Sequence, residues 1–191
     1  IIGFCEILIE DATDINQKGF VNDLTKIHKS GKDLLSLIND ILDLSKIEVR
    51  KMDVNITEFN LRELVKTVVE ILEPYANINN NIIIVNQINK SLSLKSDELK
   101  LRQILFNIIS NACKYSENND IKVIIKEIKQ DNNNYILFKV IDKGSGIKQS
   151  KYEEIFEPFT QISNSDNSGI QGTGLGLAIT KAYVNLLGGN I

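Results

Sequence analysis

The sequence predicts an α+β chain in which a helical hairpin precedes a two-layer sandwich, with helices on one face of a mixed sheet. Two observations carry this. Residues 20–48 place Leu24, Ile27, Gly31, Leu34, Ile38, Ile41 and Ser45 at alternating steps of three and four, with Leu35 and Leu42 widening the stripe. That 3.5-residue spacing belongs to a helix in a coiled coil or four-helix bundle. Residues 60–187 then read as helix, short strands, helix, strand hairpin, loop and helix, an order that gathers helices against a sheet.

The elements follow in order. Residues 1–12 form the end of an amphipathic helix, with Ile1, Phe4, Cys5, Leu8 and Ile9 on one face, and the polar stretch 11–19 connects it to the long helix 20–48. Two antiparallel helices cannot enclose so wide an apolar stripe alone, so a homodimeric four-helix bundle through residues 1–48 is the natural completion. The polar segment 49–58 reads as a linker, leading into a domain over 59–191. Asn60-Leu61-Arg62-Glu63 is a helix start, with Asn60 as cap and Glu63 reaching back, and Pro74-Tyr75 marks its end. Residues 81–88 and 91–94 read as short strands. A helix over 97–116 puts Leu99, Ile104, Leu105, Ile108, Ile109 and Ala112 on its apolar side, and 121–128 with 135–141 make a hairpin around an Asn triplet.

Composition narrows the function. The chain has 191 residues, 42% of them apolar, enough for a real core in one or two domains. A net charge of -3 argues against nucleic-acid binding. Cys5 and Cys113 match no metal spacing and fit a reducing compartment. No apolar run reaches the ~20 residues of a membrane span. The chain starts in mid-pattern at Ile1 and stops at Gly188-Gly189-Asn190-Ile191, so it reads as a fragment. The Asn-rich tracts 77–81 and 132–134 are discounted as compositional bias.

The chemistry concentrates in 107–177. Asp142-Lys143-Gly144-Ser145-Gly146 follows a strand, and Gly172-Thr173-Gly174-Leu175-Gly176 opens a helix. Glycine lets a backbone turn sharply or approach a ligand closely, and a glycine-rich turn feeding a helix N-terminus is an anion site. Two such clusters suggest a nucleotide held at both ends. Asn107 and Asn111 share a helix face with Lys114, and Tyr115 follows. Asparagine carbonyls suit Mg²⁺ that keeps phosphate and water ligands, Lys114 suits a phosphate, Tyr115 suits a purine face, and Asp142 can accept from an exocyclic amine. Each also has a plain reading: exposed asparagines of an Asn-rich chain, or an ordinary turn aspartate. Phe156 and Phe159 read as core residues anchoring a loop, and the polar stretch 160–172 as a mobile lid.

These pieces, in this order, resemble the sensor histidine kinases of two-component systems, whose ATP-binding domain is gyrase-like (Bergerat-type). FNIISNACKYS resembles the family's N box, DKGSGI its G1 box, IFEPFTQ its F box and GTGLGLAIT its G2 box, while IHKSGKDLLSLINDILDLSKIE resembles the second helix of the dimerisation and phosphotransfer domain. The resemblance spans essentially the whole chain, and the wording of that helix is similar to hybrid kinases that carry a receiver domain.

The resemblance implies ATP and Mg²⁺ as cofactors, with Asn111 and Asn107 coordinating Mg²⁺ through the ATP phosphates, Lys114 on phosphate, Tyr115 on adenine and Asp142 accepting from adenine N6. Gly144 and Gly146 would admit the base, and Gly172, Gly174 and Gly176 would wrap the triphosphate. Ile147, Phe159, Thr173, Leu175 and Leu177 complete the implied nucleotide site. It implies a protein-histidine kinase acting on a histidine upstream of this fragment, for relay to the aspartate of a response-regulator receiver domain. It also implies a homodimer in the cytoplasm, whether or not the parent is membrane-anchored, with no direct membrane contact by this segment. His28 is followed by Lys-Ser-Gly, lacks an acidic neighbour in sequence, and is not expected to be the phosphoacceptor. The family continues past the Gly-Gly turn into strands that are absent here. The alternatives are a degenerate, non-catalytic dimeric scaffold and an ATPase of the gyrase or chaperone type, for which Glu98 would be the one candidate base, a turn too early.

Overall fold

The computed structural model describes residues 1–86, 92–130, 133–161 and 172–191. It divides into two compact units, Ile1–Arg50 and Lys51–Ile191.

The first unit is a helical hairpin of α1 (Ile2–Asp14) and α2 (Lys18–Glu48). Its connection is shorter than the polar stretch 11–19 suggests. Three residues suffice because Asn16 adopts φ +57°, a left-handed turn that asparagine tolerates better than most side chains. Gly31 lets the helices close together, since a Cβ there would lie 3.1 Å from Cγ1 of Ile2. Glu6 on α1 reaches across to His28 Nε2 at 2.9 Å and Lys32 Nζ at 3.7 Å. The apolar stripe of α2 is present but uncovered: α2 holds no buried residue, and Leu34, Leu35, Ile38, Ile41 and Leu42 are all exposed.

In the second unit, β1 (Thr57–Asn60) pairs antiparallel with β3 (Ser93–Ser96), Thr57 opposite Ser96. The end of the segment that reads as a linker is therefore a strand, made so by a partner far along the chain. α3 (Leu61–Ile78) starts where the sequence puts it, with the Asn60 side chain accepting from the backbone N–H of Arg62 at 2.9 Å and Glu63 at 3.3 Å. It continues past Pro74 to Ile78, so the proline costs one hydrogen bond without ending the helix. The turn beyond Pro74 is held by packing, since Ala76 is buried in the core.

A three-stranded sheet runs β2–β4–β5. β2 (Ile82–Val85) lies parallel to β4 (Asp120–Gln130), and β4 is antiparallel to β5 (Asn133–Ile141), with Lys122 opposite Ile141. The parallel pair requires a crossover, and α4 (Glu98–Tyr115) supplies its helix. The strand readings 81–88 and 91–94 are met in part by β2 and β3; residues 87–91 lie outside the described residues. Short 3₁₀ turns at Gln149–Lys151 and Glu154–Phe156 precede α5 (Gly176–Leu186).

The core is filled by Leu61, Val65, Val68 and Leu72 of α3, Leu105 and Ile109 of α4, and Ile121, Val123 and Ile125 of β4, so helices lie on one face of a mixed sheet. The Asn-rich tract before β2 has structural work. Buried Asn81 donates from Nδ2 to the carbonyls of Cys113 (3.1 Å) and Ser116 (2.8 Å), and Asn79 Nδ2 donates to Cys113 O at 3.0 Å. The last turn of α4 would otherwise leave carbonyls without partners. These asparagines fix the end of the helix that carries Lys114 and Tyr115.

Candidate functional site

The site is built on α4. Leu101, Leu105, Ile109, Ala112 and Cys113 turn one side into the core, which leaves Asn107, Asn111 and Lys114, spaced four and three apart, on another. Both glycine clusters are drawn to this helix.

At the second cluster, Asn107 Nδ2 donates to Gly176 O at 3.1 Å and to Thr180 Oγ1 at 3.4 Å, while Thr180 Oγ1 donates to Gly176 O at 2.8 Å. The first turn of α5 is thereby fastened to the middle of α4. Lys114 Nζ lies where it would be 2.8 Å from a Cβ on Gly172. Gly174 has φ +72°, and a Cβ there would lie 2.7 Å from the carbonyl carbon of Phe159. Backbone meets backbone at that point, so only glycine fits. Thr173 Oγ1 accepts from Leu175 N at 3.3 Å, Leu175 is fully buried, and Leu177 is half-buried.

At the first cluster, a Cβ on Gly144 would lie 2.3 Å from the carbonyl oxygen of Tyr115. This glycine lets the turn after β5 sit directly on the end of α4. Asp142 is exposed and its Oδ1 accepts from Gly144 N at 2.8 Å, an Asx turn that leaves the carboxylate a second oxygen. Gly146, at φ +69°, and Ile147 are exposed. The ammonium of Lys114 stands 5.1 Å from the ring centroid of Tyr115, and Asn111 is half-buried.

One expectation is corrected. Phe159 is 65% exposed, at φ +63°, and is not a core anchor. The tight turn directs its backbone, not its ring, against Gly174. Phe156 is half-buried, with Lys181 Nζ of α5 at 5.2 Å from its ring centroid. The lid expected over 160–172 falls mostly on 162–171, outside the described residues; at its edges the Gln161 side-chain amide donates to Gly172 O.

Sequence reasoning missed Thr180 and Asn81. Thr180 stands four residues after Gly176, a spacing that could have flagged it; Asn81 gave no local signal. The view that His28 lacks an acidic neighbour holds along the sequence but not in space, because Glu6, 22 residues away, lies at 2.9 Å. Cys113 is buried behind the site, and its thiol is pushed up to about 11 by that burial, so it packs as a small apolar residue. Among the described residues, no group of three or more His, Cys, Asp or Glu could hold a metal ion.

The comparisons with known proteins agree with this geometry. Residues 96–191 match the family described as histidine kinase-, DNA gyrase B-, and HSP90-like ATPase. The chain is 36% identical over 163 residues to the autoinducer 2 sensor kinase/phosphatase LuxQ of Vibrio cholerae serotype O1, covering 85% of this chain and 19% of that protein. It is 35% identical to the sensor protein GacS of Pseudomonas syringae pv. syringae, over 100% of this chain and 21% of that one. It therefore spans about a fifth of the length of these curated relatives. Among solved structures, full-length ShkA in complex with AMPPNP is similar with a TM-score of 0.72 at 29% identity, over 91% of this chain and 34% of that one. The catalytic domain of histidine kinase ThkA, in a nucleotide-free form, gives 0.58 at 29% identity, over 70% and 82%. With both glycine clusters drawn to one helix and this family model matching half of the chain, the chain belongs to the histidine kinase-, DNA gyrase B- and HSP90-like ATPase family.

Proposed function

We propose that this core binds ATP–Mg²⁺ on α4 between the two glycine clusters and serves a parent kinase that transfers the γ-phosphate to a histidine, then to the aspartate of a receiver domain. One observation carries the reading. Asn107 touches Gly176, Lys114 stands beside Gly172, and the Tyr115 carbonyl touches Gly144; a single helix thus brings an amide and an ammonium to the second glycine turn and its own C-terminal end to the first. Asp142 would accept from the adenine amine, Gly146 and Ile147 would border the base, and Lys114 with the N–H groups at the start of α5 would receive the phosphates. Asn111 and Asn107 carry neutral, hard carbonyl oxygens. That donor set fits Mg²⁺ that arrives with its phosphates and keeps water, since Mg²⁺ seldom needs an all-protein cage.

In phosphoryl transfer the protein supplies position and neutralises charge. The bond from the β–γ bridging oxygen to the γ-phosphorus breaks as an imidazole nitrogen bonds to it, and ADP leaves. His28 is assigned to the hairpin's packing, paired with Glu6, which Lys32 also reaches, and is not the acceptor. The hairpin is assigned to dimerisation on the strength of its uncovered stripe.

A thermal melt with and without ATP–Mg²⁺ tests the nucleotide site. Nucleotide at ~100 times its dissociation constant should add about 2.7 kcal/mol of stability, a shift of several degrees, and Asp142→Asn should melt as the wild type does without nucleotide but lose that shift. A wild-type melt that ignores ATP–Mg²⁺ overturns the reading; an undiminished shift in the variant removes Asp142 from it.

A further inference from the structure

A buried ion pair at the start of α4 takes no part in the proposed ATP chemistry. Asp97 caps the helix: Oδ1 accepts from Lys100 N at 3.1 Å, and Oδ2 accepts from Lys100 Nζ at 2.8 Å and from Asn55 N at 2.9 Å. Lys100 Nζ donates again to the carbonyl oxygen of Asp53 at 2.8 Å and stands 5.9 Å from the ring centroid of Tyr183 on α5. The Asp97 and Lys100 side chains are only 3% and 13% exposed.

Capping alone does not call for this. A serine or asparagine would satisfy the first N–H groups about as well, and burying a charged pair costs desolvation that a neutral cap avoids. What the charges add is attachment. Asp53 and Asn55 belong to the segment that leads from Arg50, the last residue of the first unit, into β1. The pair ties that segment to the helix which, ten to seventeen residues further on, carries Asn107, Asn111 and Lys114. An α-helix is hydrogen-bonded along its length, so a constraint at one end is felt at the other.

We infer that Asp97 and Lys100 are positioning residues that clasp the entry segment 53–55 to the nucleotide helix, so that nucleotide occupancy is transmitted to the chain leading in from the hairpin. The inference rests on the ATP-binding reading above. Its signature is reciprocal coupling between the far end of α4 and the amide of Asn55, which a merely structural cap would not produce.

The test follows amide hydrogen exchange at Asn55 by NMR, with and without ATP–Mg²⁺, beside nucleotide affinity by calorimetry. In the wild type, saturation should slow exchange at Asn55 by about tenfold, within the usual range of coupling between sites. Lys100→Met keeps the Asp97 cap but removes the Lys100 arm of the clasp, the bond from Nζ to Asp53 O, together with the ammonium that holds Asp97 Oδ2 toward Asn55 N–H. By reciprocity it should bind nucleotide up to about tenfold more weakly than wild type while Asn55 no longer responds, and Lys100→Arg should restore both. Asp97→Asn, which keeps a neutral cap, should behave as Lys100→Met does. Nucleotide binding that leaves Asn55 unchanged in the wild type, or a response that survives in Lys100→Met, overturns the clasp. Failure of the wild type to bind nucleotide overturns the ATP reading and the coupling with it.

Discussion

The two units use apolar residues in opposite ways. In the ATP-binding unit Leu61, Leu72, Leu105, Ile109 and Ile121 are essentially inaccessible, and the helices cover one face of the sheet. In the hairpin only Cys5 and Ala12 are buried, while Leu34, Leu35, Ile38, Ile41 and Leu42 keep 40–57% of their surface in solvent. Single exposed hydrophobics are normal, but a continuous stripe of large ones marks an interaction surface. The comparison separates a unit that closes its own core from one that leaves an apolar stripe uncovered, and the 3.5-residue spacing of that stripe fits the proposed pairing with a second copy of the same hairpin.

The largest expected effect would break that comparison. Ile38→Asp with Leu42→Asp places charges on the stripe of both protomers. Four side chains withdrawn from a two-fold interface forfeit roughly 6 kcal/mol, taking about 1.5 kcal/mol for each. Sedimentation equilibrium should show a dimer in the wild type and a monomer in the variant, with ATP–Mg²⁺ affinity unchanged. A wild-type monomer, or a variant that still dimerises, would mean that the stripe serves something else. A smaller effect should come from the other unit. Ile109→Ala empties a site that is 0% exposed and should cost about 2–5 kcal/mol. Denaturant unfolding should register that loss, while sedimentation stays as in the wild type. A change of association state in Ile109→Ala would blur the distinction between the units.

How much of this was legible in the sequence depended on how local the cause was. The stripe of α2, the Asn60 cap, α4 and the glycine turns were readable because spacing and residue type within a few positions decide them. β1 was read as linker because its partner Ser93–Ser96 lies more than thirty residues on. Pro74 was read as a helix end because the packing of Ala76 that carries α3 onward is tertiary. Phe159 was read as core on its apolarity, yet a positive φ turns the chain so that its backbone makes the contact with Gly174. The grip of Asp97 on Asn55 spans 42 residues, and no periodicity announces it. At the candidate site the residues were legible but their ties were not: Asn107 to Gly176 and Tyr115 to Gly144 exist only in the fold.

The smallest expected effect sharpens the comparison through two aspartates with opposite pH behaviour. In the ATP-binding unit, burial pushes Asp97 up, but hydrogen bonds from Lys100 Nζ and from the backbone N–H of Asn55 and Lys100 outweigh it and hold the carboxyl below its ordinary 3.8. A carboxyl depressed in the folded state contributes stability that is fully present above the ordinary value and is lost as pH falls through the depressed one. In the hairpin, Asp40 is raised above 3.8 by its partial burial and by the charge of Asp43. The sign reverses: the fold favours the protonated acid, so stability declines as pH climbs from 3.8 toward the raised value, and the cost persists at neutral pH. Asp40→Asn should therefore raise the melting temperature slightly at pH 7 and flatten the profile just above 3.8. Asp97→Asn should lower the melting temperature at pH 7 and flatten the profile below 3.8. Equal responses from the two variants would show that the carboxylates share one environment, and the contrast between a self-sufficient core and an open stripe would not extend to their charges.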